Sequence, residues 1–531
     1  MTTSYGQVRL QICGEGPAVV VLVGPTRAAS WMAADLARRL PDRQVVAVEM
    51  PGVGGSSRLR ARDCSEASSA VTQAVSWLRS SGGSTRLDVI ATDLAVALAP
   101  PVVEALRPET LVLLDTQDAL NWVECGLEPP AGNPVTDGGH LLALWTFLRD
   151  RRLIRADDPT RPRTQGAALP CTAELADGFI AAASSPMGFS RWWRATAAAL
   201  PAAVGEVEMM ARSATVGHLD EIPEVLDVTT SGPTSSRGPT ATSPDHSEGV
   251  WFEYVETRRG RAHVRRSGST GRPVLVLSTG GGSSEQFAPV VRGLADSPHG
   301  PRTVASMDYF GNGLSEPGRP RPSVAELAQD AWAVVDALGW GEVDLWGSHT
   351  GACVAIEMML SAPERVGRAV LEAPPMVTQA MSIELAERYF PDLAPTRSGS
   401  HIVAAWSWRR DAFLYWPWYS VAHDSARGIG LPEPDELELY SRGILESGET
   451  YDGAYRAAFD YDTRNRLPML TRPSIITAGP HDMLANTLAD AAQLIPDGLV
   501  EIVPTPETVW WPGPDERAAE TTMRIYQDFL R

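Results

Sequence analysis

The hydrophobic residues of this chain fall into short unbroken runs, each followed by a turn and then by a stretch with helical spacing. Examples are AVVVLV at 18–23, VLVL at 274–277 and VDLWG at 343–347. Unbroken apolar runs of about four to eight residues are typical of strands buried on both faces. Because such runs alternate with helical stretches, the pattern predicts α/β domains with mostly parallel sheets and helices on both faces.

The same order of runs occurs twice along the chain. PAVVVLVGPTRAASW in the first half is similar to PVLVLSTGGGSSEQF in the second, and VVAVEMPGVGGSS is similar to TVASMDYFGNGLS. LDVIATDLAVALA stands where VDLWGSHTGACVA stands, and GGHLLALWTFLRD where GSHIVAAWSWRRD stands. The offset between the partners is nearly constant. A similarity of this length predicts a duplicated domain and not a short-period repeat.

Residues 229–248 predict a linker between the two copies. This segment is rich in Ser, Thr, Pro and Gly and has too little apolar surface to fold. We therefore predict domains at 1–228 and 249–531. We expect the first to be truncated, because nothing between Ala203 and the linker clearly matches the last two predicted strands of the second copy.

Composition excludes several classes of protein. A net charge of −19 over 531 residues disfavours nucleic acid as a partner. The five cysteines form no C-x-x-C pair, so neither a metal site nor a disulfide framework is expected. The first residues lack the pattern of a signal peptide, and no apolar run reaches the roughly 20 residues of a membrane span. We expect a soluble cytoplasmic protein that needs no cofactor and has no membrane partner.

The stretch Gly341–Glu357 carries the main candidate chemistry. A predicted strand meets the sequence Gly347-Ser-His-Thr-Gly351, and a helix-forming segment follows. This is the context of the G-x-S-x-G nucleophile elbow, whose central residue is strained and needs small flanks. The spacing puts His349 at the apex, because an apex at Ser348 would have the bulky Trp346 as a flank.

With D-x-x-G-x-G-x-S at Asp308–Ser315 and this elbow, the second half resembles the α/β-hydrolase family, and the first half is a weaker copy. The resemblance implies two tandem α/β-hydrolase-like domains. In the second it implies an eight-stranded sheet and a helical cap at about 375–466. It also implies a triad formed by a nucleophile at the elbow, an acid after a late strand and a histidine before the final helix.

Position by position, the resemblance puts His349 in the nucleophile slot and Asp482 in the acid slot. Oxyanion-binding amides would come from Thr279 and Thr350. The late histidine should fall near Glu507–Thr508, but no histidine follows His481. Without the serine and that histidine, the usual acyl-enzyme route has neither nucleophile nor base.

His349 admits two interpretations. As a general base or acid it would be oriented by Asp482, and its pKa would stay near neutrality. In the alternative, the elbow has decayed and the residue at its apex is unimportant. We favour the catalytic interpretation because the glycine spacing is retained.

Asp93 occupies the corresponding apex in the first half, between Ala91 and Ala95. In this it resembles the haloalkane dehalogenases and epoxide hydrolases, and the resemblance implies an aspartate that attacks carbon. The late acid and histidine, however, have no evident counterpart in this half. We therefore expect Asp93 to be structural.

The predicted cap supplies further candidates. His401, at the start of H-x-x-x-x-W-x-x-x-R-D, is a candidate catalytic residue, although its copy His140 equally favours a packing role. Trp406 and Trp416 belong to a dense aromatic group, and with Ser348 they are predicted to contact substrate. Aromatic walls suit an apolar or aromatic small molecule.

We therefore predict an enzyme that acts on a hydrophobic small molecule by His/Asp acid-base chemistry: C–C or C–O cleavage, elimination or cyclisation. The degenerate duplicate and the absence of lysine, which indicates a GC-rich genome, favour a tailoring step in specialised metabolism. One alternative is an ester or thioester hydrolase that uses His349 or a water it activates. Another is a non-catalytic binding or scaffold protein. The two copies are expected to pack together, and a homodimer stays open.

Overall fold

A computed structural model describes residues 1–80, 87–154, 169–210, 213–226, 249–495, 498–511 and 513–531. The chain forms two compact units: Met1–Asp245 with Pro395–Gly399, and His246–Ala394 with Ser400–Arg531. The linker predicted at 229–248 lies outside the described residues. None of the described helices is both long enough and apolar enough to cross a bilayer.

The first unit is built on a six-stranded, mostly parallel sheet. The described strands of this unit are β1 (Thr2–Thr3), β2 (Gly6–Gln7), β3 (Leu10–Cys13), β4 (Ala18–Val23), β5 (Gln44–Glu49), β6 (Leu87–Thr92), β7 (Leu111–Leu114) and β8 (Ser213–Val216). The sheet order is β3-β5-β4-β6-β7-β8, and only β3 runs antiparallel to its neighbour. β1 and β2 form a separate antiparallel pair.

Helices cover this sheet. They are α1 (Ala29–Arg39), α2 (Cys64–Val75), α3 (Trp77–Ser80), α4 (Ala99–Leu106), α5 (Thr116–Glu124), α6 (Gly139–Asp150), α7 (Thr172–Ala183), α8 (Pro186–Met210) and α9 (Ile222–Val225). Strands β4 to β7 are buried along their whole length, as expected of parallel strands with helices on both faces.

The second unit has the predicted eight-stranded sheet. Its strands are β9 (Trp251–Thr257), β10 (Gly260–Ser267), β11 (Pro273–Leu277), β12 (Thr303–Met307), β13 (Val343–Ser348), β14 (Val366–Glu372), β15 (Ser474–Thr477) and β16 (Val500–Ile502). The order is β9-β10-β12-β11-β13-β14-β15-β16. Only β9 and β10 are antiparallel to their neighbours, so the predicted fold class is confirmed.

Ten labelled helices complete the described part of this unit. They are α10 (Ala288–Ala295), α11 (Val324–Ala337), α12 (Thr350–Ser361), α13 (Gln379–Arg388), α14 (Ser400–Leu414), α15 (Pro434–Ser447), α16 (Gly453–Phe459), α17 (Thr463–Arg466), α18 (Thr487–Ala492) and α19 (Glu516–Phe529). Helices α13 to α17 lie between β14 and β15 in the chain, which is where the cap was predicted.

The truncation of the first unit was overestimated. The segment after Ala203, for which we expected no counterpart, contains β8, which pairs in parallel with β7 as β15 pairs with β14. The order from β3 to β8 is the same as that from β10 to β15. β16 alone among these later strands has no counterpart in the described part of the first unit. Short strands such as SATV have too few residues to show a reliable pattern.

The D-x-x-G-x-G-x-S motif has a structural role. Asp308 follows β12 and is buried, and its carboxylate accepts the N–H of Ser284 (2.5 Å) and of Leu314 (3.0 Å). It also lies 2.8 Å from the Nδ1 atom of the buried His263. Burial alone would raise the pKa of Asp308, but the charge and hydrogen bond of His263 lower it below its usual value. This carboxylate therefore fixes the loops beside the carboxyl ends of the strands.

Candidate active site

β13 passes into α12 through a single residue, His349, whose φ is 49° and ψ is −110°. A positive φ is unfavourable for a residue with a side chain. His349 is held in it by two elements, since its N–H donates to the carbonyl of Glu372 (2.9 Å) and its own carbonyl accepts the N–H of Cys353 (3.2 Å). The sharp turn inferred from the glycine spacing is therefore present, with histidine at its tip.

The two flanking glycines allow the helix to approach the sheet. A Cβ atom added to Gly347 would lie 2.3 Å from the carbonyl oxygen of Gly351. One added to Gly351 would lie 2.0 Å from the carbonyl oxygen of Leu277, in the neighbouring strand β11. Both contacts are with backbone, which cannot move aside as a flexible side chain can. The glycines are thus a packing requirement of the elbow.

We expect Gly351→Ala to lower the free energy of unfolding of the second unit by about 1–3 kcal/mol, because α12 must move away from β11. Urea unfolding followed by circular dichroism would measure the loss. Gly341→Ala is the matched control, since a Cβ there would meet nothing within 4 Å. That variant should stay within about 0.5 kcal/mol of the wild type. Equal stability of the two variants would contradict this account of the turn.

The imidazole of His349 is paired with the carboxylate of Asp482. Its Nε2 atom lies 3.1 Å from Oδ1 and 2.9 Å from Oδ2. The Asp482 side chain is completely buried, and its Oδ1 also accepts the N–H of Leu484 at 2.8 Å. Because Nε2 is engaged, Nδ1 is the ring nitrogen left to exchange a proton. The sequence-based pairing of these two residues, 133 positions apart, is geometrically satisfied.

The charge of Asp482 controls the titration of His349. The side chain of His349 is only 10% exposed, and burial by itself lowers its pKa. The charge and hydrogen bond of Asp482, with a smaller contribution from the charge of Glu372, outweigh burial, so the pKa of His349 is raised above 6.5. The pair with Asp482 therefore favours the protonated imidazole more than water does for an ordinary histidine.

Glu372 is a member of the site that the sequence did not reveal. It ends β14, is completely buried, and accepts hydrogen bonds from Trp510 Nε1 (2.5 Å) and the Tyr526 hydroxyl (2.8 Å). Burial raises the pKa of Glu372. An acid at the carboxyl end of a predicted strand was the only available signal, and most such acids have other roles.

Trp510 lies close to where the late histidine was expected. Its ring contacts the His349 ring edge-to-face, with centroids 5.7 Å apart, and stacks on Phe287 at 4.8 Å. The hydroxyl of Tyr440 donates to its carbonyl at 3.1 Å. An aromatic residue, and not a base, therefore packs on the ring of His349.

A cavity opens at the tip of the elbow and is walled mainly by aromatic and aliphatic side chains. Its lining residues are Thr279, His349, Thr350, Pro375, Tyr389, Arg409, Ala412, Phe413, Trp416, Arg427, Tyr440, Tyr455, Phe459, Met483, Leu484, Trp510 and Trp511. Most come from the cap helices and their loops. Such a cavity, apolar with a few polar groups, is typical of small-molecule sites.

The two residues predicted to offer oxyanion-binding amides, Thr279 and Thr350, both line this cavity. Thr350 is the first residue of α12, where backbone N–H groups have no partner within the helix. The helix dipole adds positive potential at the same end. A developing negative charge beside His349 would therefore be stabilised.

Of the predicted substrate contacts, Trp416 alone lines the cavity. Ser348 is completely buried in the end of β13, and Trp406 is only 2% exposed; neither is part of the wall. His401 is also absent from the wall of the cavity. It is 5% exposed, and burial lowers its pKa to about 4. His401 and Trp406 are both buried residues of α14, and with Ser348 they lie outside the lining of this cavity.

Asp93 forms a second elbow in the first unit. Its φ is 39°, and it begins a 3-10 helix after β6. The side chain is completely buried and accepts a hydrogen bond from the Thr26 hydroxyl at 2.8 Å. Burial raises the pKa of Asp93 despite that bond and the nearby charges of Arg27 and Arg151.

A cluster of buried ion pairs lies next to Asp93. Asp115 pairs with Arg27 (2.9 Å) and Arg152 (2.6 Å), and Arg27 also pairs with Glu174 (3.3 Å). The counterpart of Asp482 is not in this cluster. The acid that follows β8, Asp220, is 83% exposed and pairs with Arg39 instead. Asp93 therefore belongs to a packed polar core.

Among the described residues, no group of three or more His, Cys, Asp or Glu side chains could hold a metal ion.

Sequence comparisons relate the chain to known proteins. A model of the alpha/beta hydrolase fold matches residues 272–399. RutD of Caulobacter vibrioides (strain NA1000 / CB15N), provisionally named a carbamate hydrolase, is 32% identical over 227 residues, which cover 40% of this chain and 74% of that protein. Carboxylesterase YbfK of Bacillus subtilis (strain 168) is 34% identical over 123 residues, or 23% of this chain.

Two of the relatives are matched over a smaller part of their length. The match covers 40% of YbfK and 38% of RutD from Caulobacter segnis. Among solved structures, the enol-lactonase from Burkholderia xenovorans LB400 has a TM-score of 0.40 and 18% identity, covering 52% of this chain and 99% of that one. The epoxide hydrolase from an endophytic Streptomyces has a TM-score of 0.40 and 20% identity, and the match covers 53% of this chain and 96% of that one.

Proposed function

Because the chain belongs to the α/β-hydrolase-fold family, we propose that its second unit is an enzyme that uses His349 as a general base or acid on an apolar small molecule. The observation that carries this proposal is the buried pair of His349 and Asp482 beside the aromatic cavity. A carboxylate bound to one ring nitrogen orients the imidazole and leaves the other nitrogen for proton transfer.

Proton transfer suits the site better than an acyl-enzyme route. The apex has no hydroxyl, no histidine follows His481 in the chain, and Trp510 packs on the ring of His349. His349 therefore has to supply the acid-base function from the apex itself. With Thr279 and Thr350 placed to stabilise an enolate or oxyanion, the reactions that fit are C–C or C–O cleavage, elimination and cyclisation.

The second candidate function is hydrolysis, and the similarity to proteins named as a carboxylesterase and as a carbamate hydrolase favours it. In this reaction His349 would remove a proton from a water molecule that attacks an ester or carbamate carbonyl. The same oxyanion-stabilising amides would serve it. The two functions share the base and differ in what the base deprotonates.

One experiment separates these candidates. In the first assay the protein in D2O is mixed with an aryl ketone that has α-hydrogens, and NMR follows the exchange of those hydrogens for deuterium. In the second assay 4-nitrophenyl esters and carbamates are added, and absorbance follows the release of 4-nitrophenol. Exchange above the uncatalysed rate, without ester cleavage, would support proton transfer at carbon. Cleavage without exchange would support hydrolysis. Binding of the ketone with neither reaction would leave a ligand-binding module.

We expect Asp482→Asn to move the pH dependence of activity to lower pH. As a base, His349 must be neutral, so kcat/KM should rise with pH through the raised pKa of the free enzyme. Removing the Asp482 charge leaves burial, which lowers the pKa of His349, as the main influence. The inflection would be read from a pH-rate profile of kcat/KM.

The matched control for this change is Asp490→Asn, because Asp490 is 40% exposed and pairs with Arg464 away from the cavity. Its profile should coincide with that of the wild type. An inflection that stays in place in Asp482→Asn, or moves to higher pH, would contradict the pairing as the control of His349.

As the biological setting we propose a tailoring step in specialised metabolism. Such a step would suit an enzyme with a degenerate first copy and a small apolar cavity. The neighbouring genes would test it, since a biosynthetic cluster would place the reaction after the assembly of a carbon skeleton.

A further inference from the structure

Arg409 is a buried arginine without an acidic partner. It lies on α14, is 5% exposed, and is part of the cavity wall. Among the described residues no carboxylate lies within ion-pairing distance of its guanidinium, and its one hydrogen bond is from Nη1 to the hydroxyl of Tyr455 at 3.2 Å. A buried charge is strongly unfavourable unless it is paired.

The unpartnered atoms of Arg409 are Nε and Nη2, both of them buried. These two nitrogens share one edge of the guanidinium and present parallel N–H groups. That edge matches the two oxygens of a carboxylate, which accept one hydrogen bond each. Since Nη1 is already engaged by Tyr455, the remaining donors have the geometry of an anion-binding fork.

Aromatic side chains hold the guanidinium but do not neutralise it. Its central carbon lies 4.8 Å from the ring of Trp408 and 5.7 Å from that of Tyr440. Burial raises the pKa of Tyr440 well above its ordinary value, so this phenol stays uncharged. The rings therefore fix the orientation of the fork and leave its charge uncompensated.

The rest of the wall adds positive charge. Arg427 also lines the cavity, and its guanidinium donates to two backbone carbonyls, those of Ala412 (2.5 Å) and His481 (2.6 Å). No Asp or Glu is among the lining residues, and the nearby Asp482 is engaged by His349. The cap side of the cavity is thus cationic.

We propose that the substrate of this site is an aryl or alkyl carboxylic acid whose carboxylate binds the Nε/Nη2 edge of Arg409 while its apolar part fills the aromatic cavity. This names the substrate class of the same site and so rests on the proposed function. The carboxylate would anchor the cap-side end of the molecule, and the reacting carbon would then lie toward His349.

The test compares 2-naphthoate with 2-naphthamide, which have the same shape and differ in the charge, by calorimetric titration of the full chain. We expect the wild type to bind naphthoate about 10- to 100-fold more tightly, because only the carboxylate satisfies the charged fork. Equal affinities, or no binding of naphthoate up to about 10 mM, would overturn the proposal without any variant.

Variants then locate the effect. Arg409→Gln should reduce naphthoate affinity to that of naphthamide, and Arg409→Lys should be intermediate, since it keeps the charge and loses the fork. The matched control is Arg410→Gln, the adjacent arginine, which is 38% exposed and pairs with Asp411 at 2.7 Å; it should bind as the wild type does. A folded Arg409→Gln protein that retains the preference would overturn the assignment.

The binding readout keeps this proposal separate from the catalytic one. His349→Asn should bind naphthoate with unchanged preference even where turnover is lost. Turnover that depends on His349 without a carboxylate preference would reject the substrate class alone. A carboxylate preference without turnover would reject the catalytic proposal alone.

Discussion

Replacing His349 with asparagine should lower kcat by about 10²–10⁴-fold, the usual contribution of a positioned general acid or base. Asparagine tolerates a positive φ better than most residues, so the elbow, whose φ is 49°, should keep its shape. The amide cannot take up the proton that Nδ1 accepts. The measurement is turnover of whichever aryl ketone or ester the wild type converts, with unfolding curves to show that the variant is folded.

Two control variants accompany this prediction. His423→Asn alters an exposed histidine of a cap loop and should leave turnover unchanged. Asp93→Asn alters the apex of the first unit, which lies among buried ion pairs, and should change stability without changing kcat. Activity in the His349 variant equal to that in both controls would remove the support for catalysis at the second elbow.

The largest effect on stability is expected from Asp115→Asn in the first unit. Asp115 pairs with Arg27 and Arg152, and all three side chains are at least 94% buried. Removing the acid leaves two guanidiniums in the interior without their shared counter-ion, a change that costs about 3–5 kcal/mol. Asparagine keeps the size of the side chain and tolerates the φ of 56° at this position.

Urea unfolding would measure this loss, and it should appear as a shift of the first unit's transition while that of the second unit stays in place. Glu104→Ala, an exposed position on α4, is the matched control and should change the free energy of unfolding by no more than about 0.5 kcal/mol. A loss below about 1 kcal/mol in Asp115→Asn would show that the two arginines find other partners.

The local chemistry of the elbow was readable from the sequence. A buried strand, two glycines four residues apart and a following helix specify a sharp turn, because a Cβ at either glycine would collide with backbone. The residue between them was therefore identified as the apex without any structure. The same reasoning located the two sheets, since unbroken apolar runs are a property of each segment alone.

The cap was predicted less completely, because helical spacing does not say which side of a helix faces a cavity. The sequence pattern indicated His401 and Trp406 as the cap residues at the site, whereas in the structure Arg409 lines the cavity and its neighbour Arg410 pairs with Asp411. Adjacent residues on a helix differ in direction by about 100°, so one step in phase decides between a ligand contact and the surface.

The sequence by itself determined the fold class, the two elbows and the identity of the residue at each tip, because these depend on short-range patterns and on the size of glycine. Only the tertiary structure decided what surrounds His349. Asp482, Glu372 and Trp510 come from separate strands and loops, and their approach depends on how the sheet and cap pack. Contacts between distant segments are set by that packing, and no spacing along the chain specifies them.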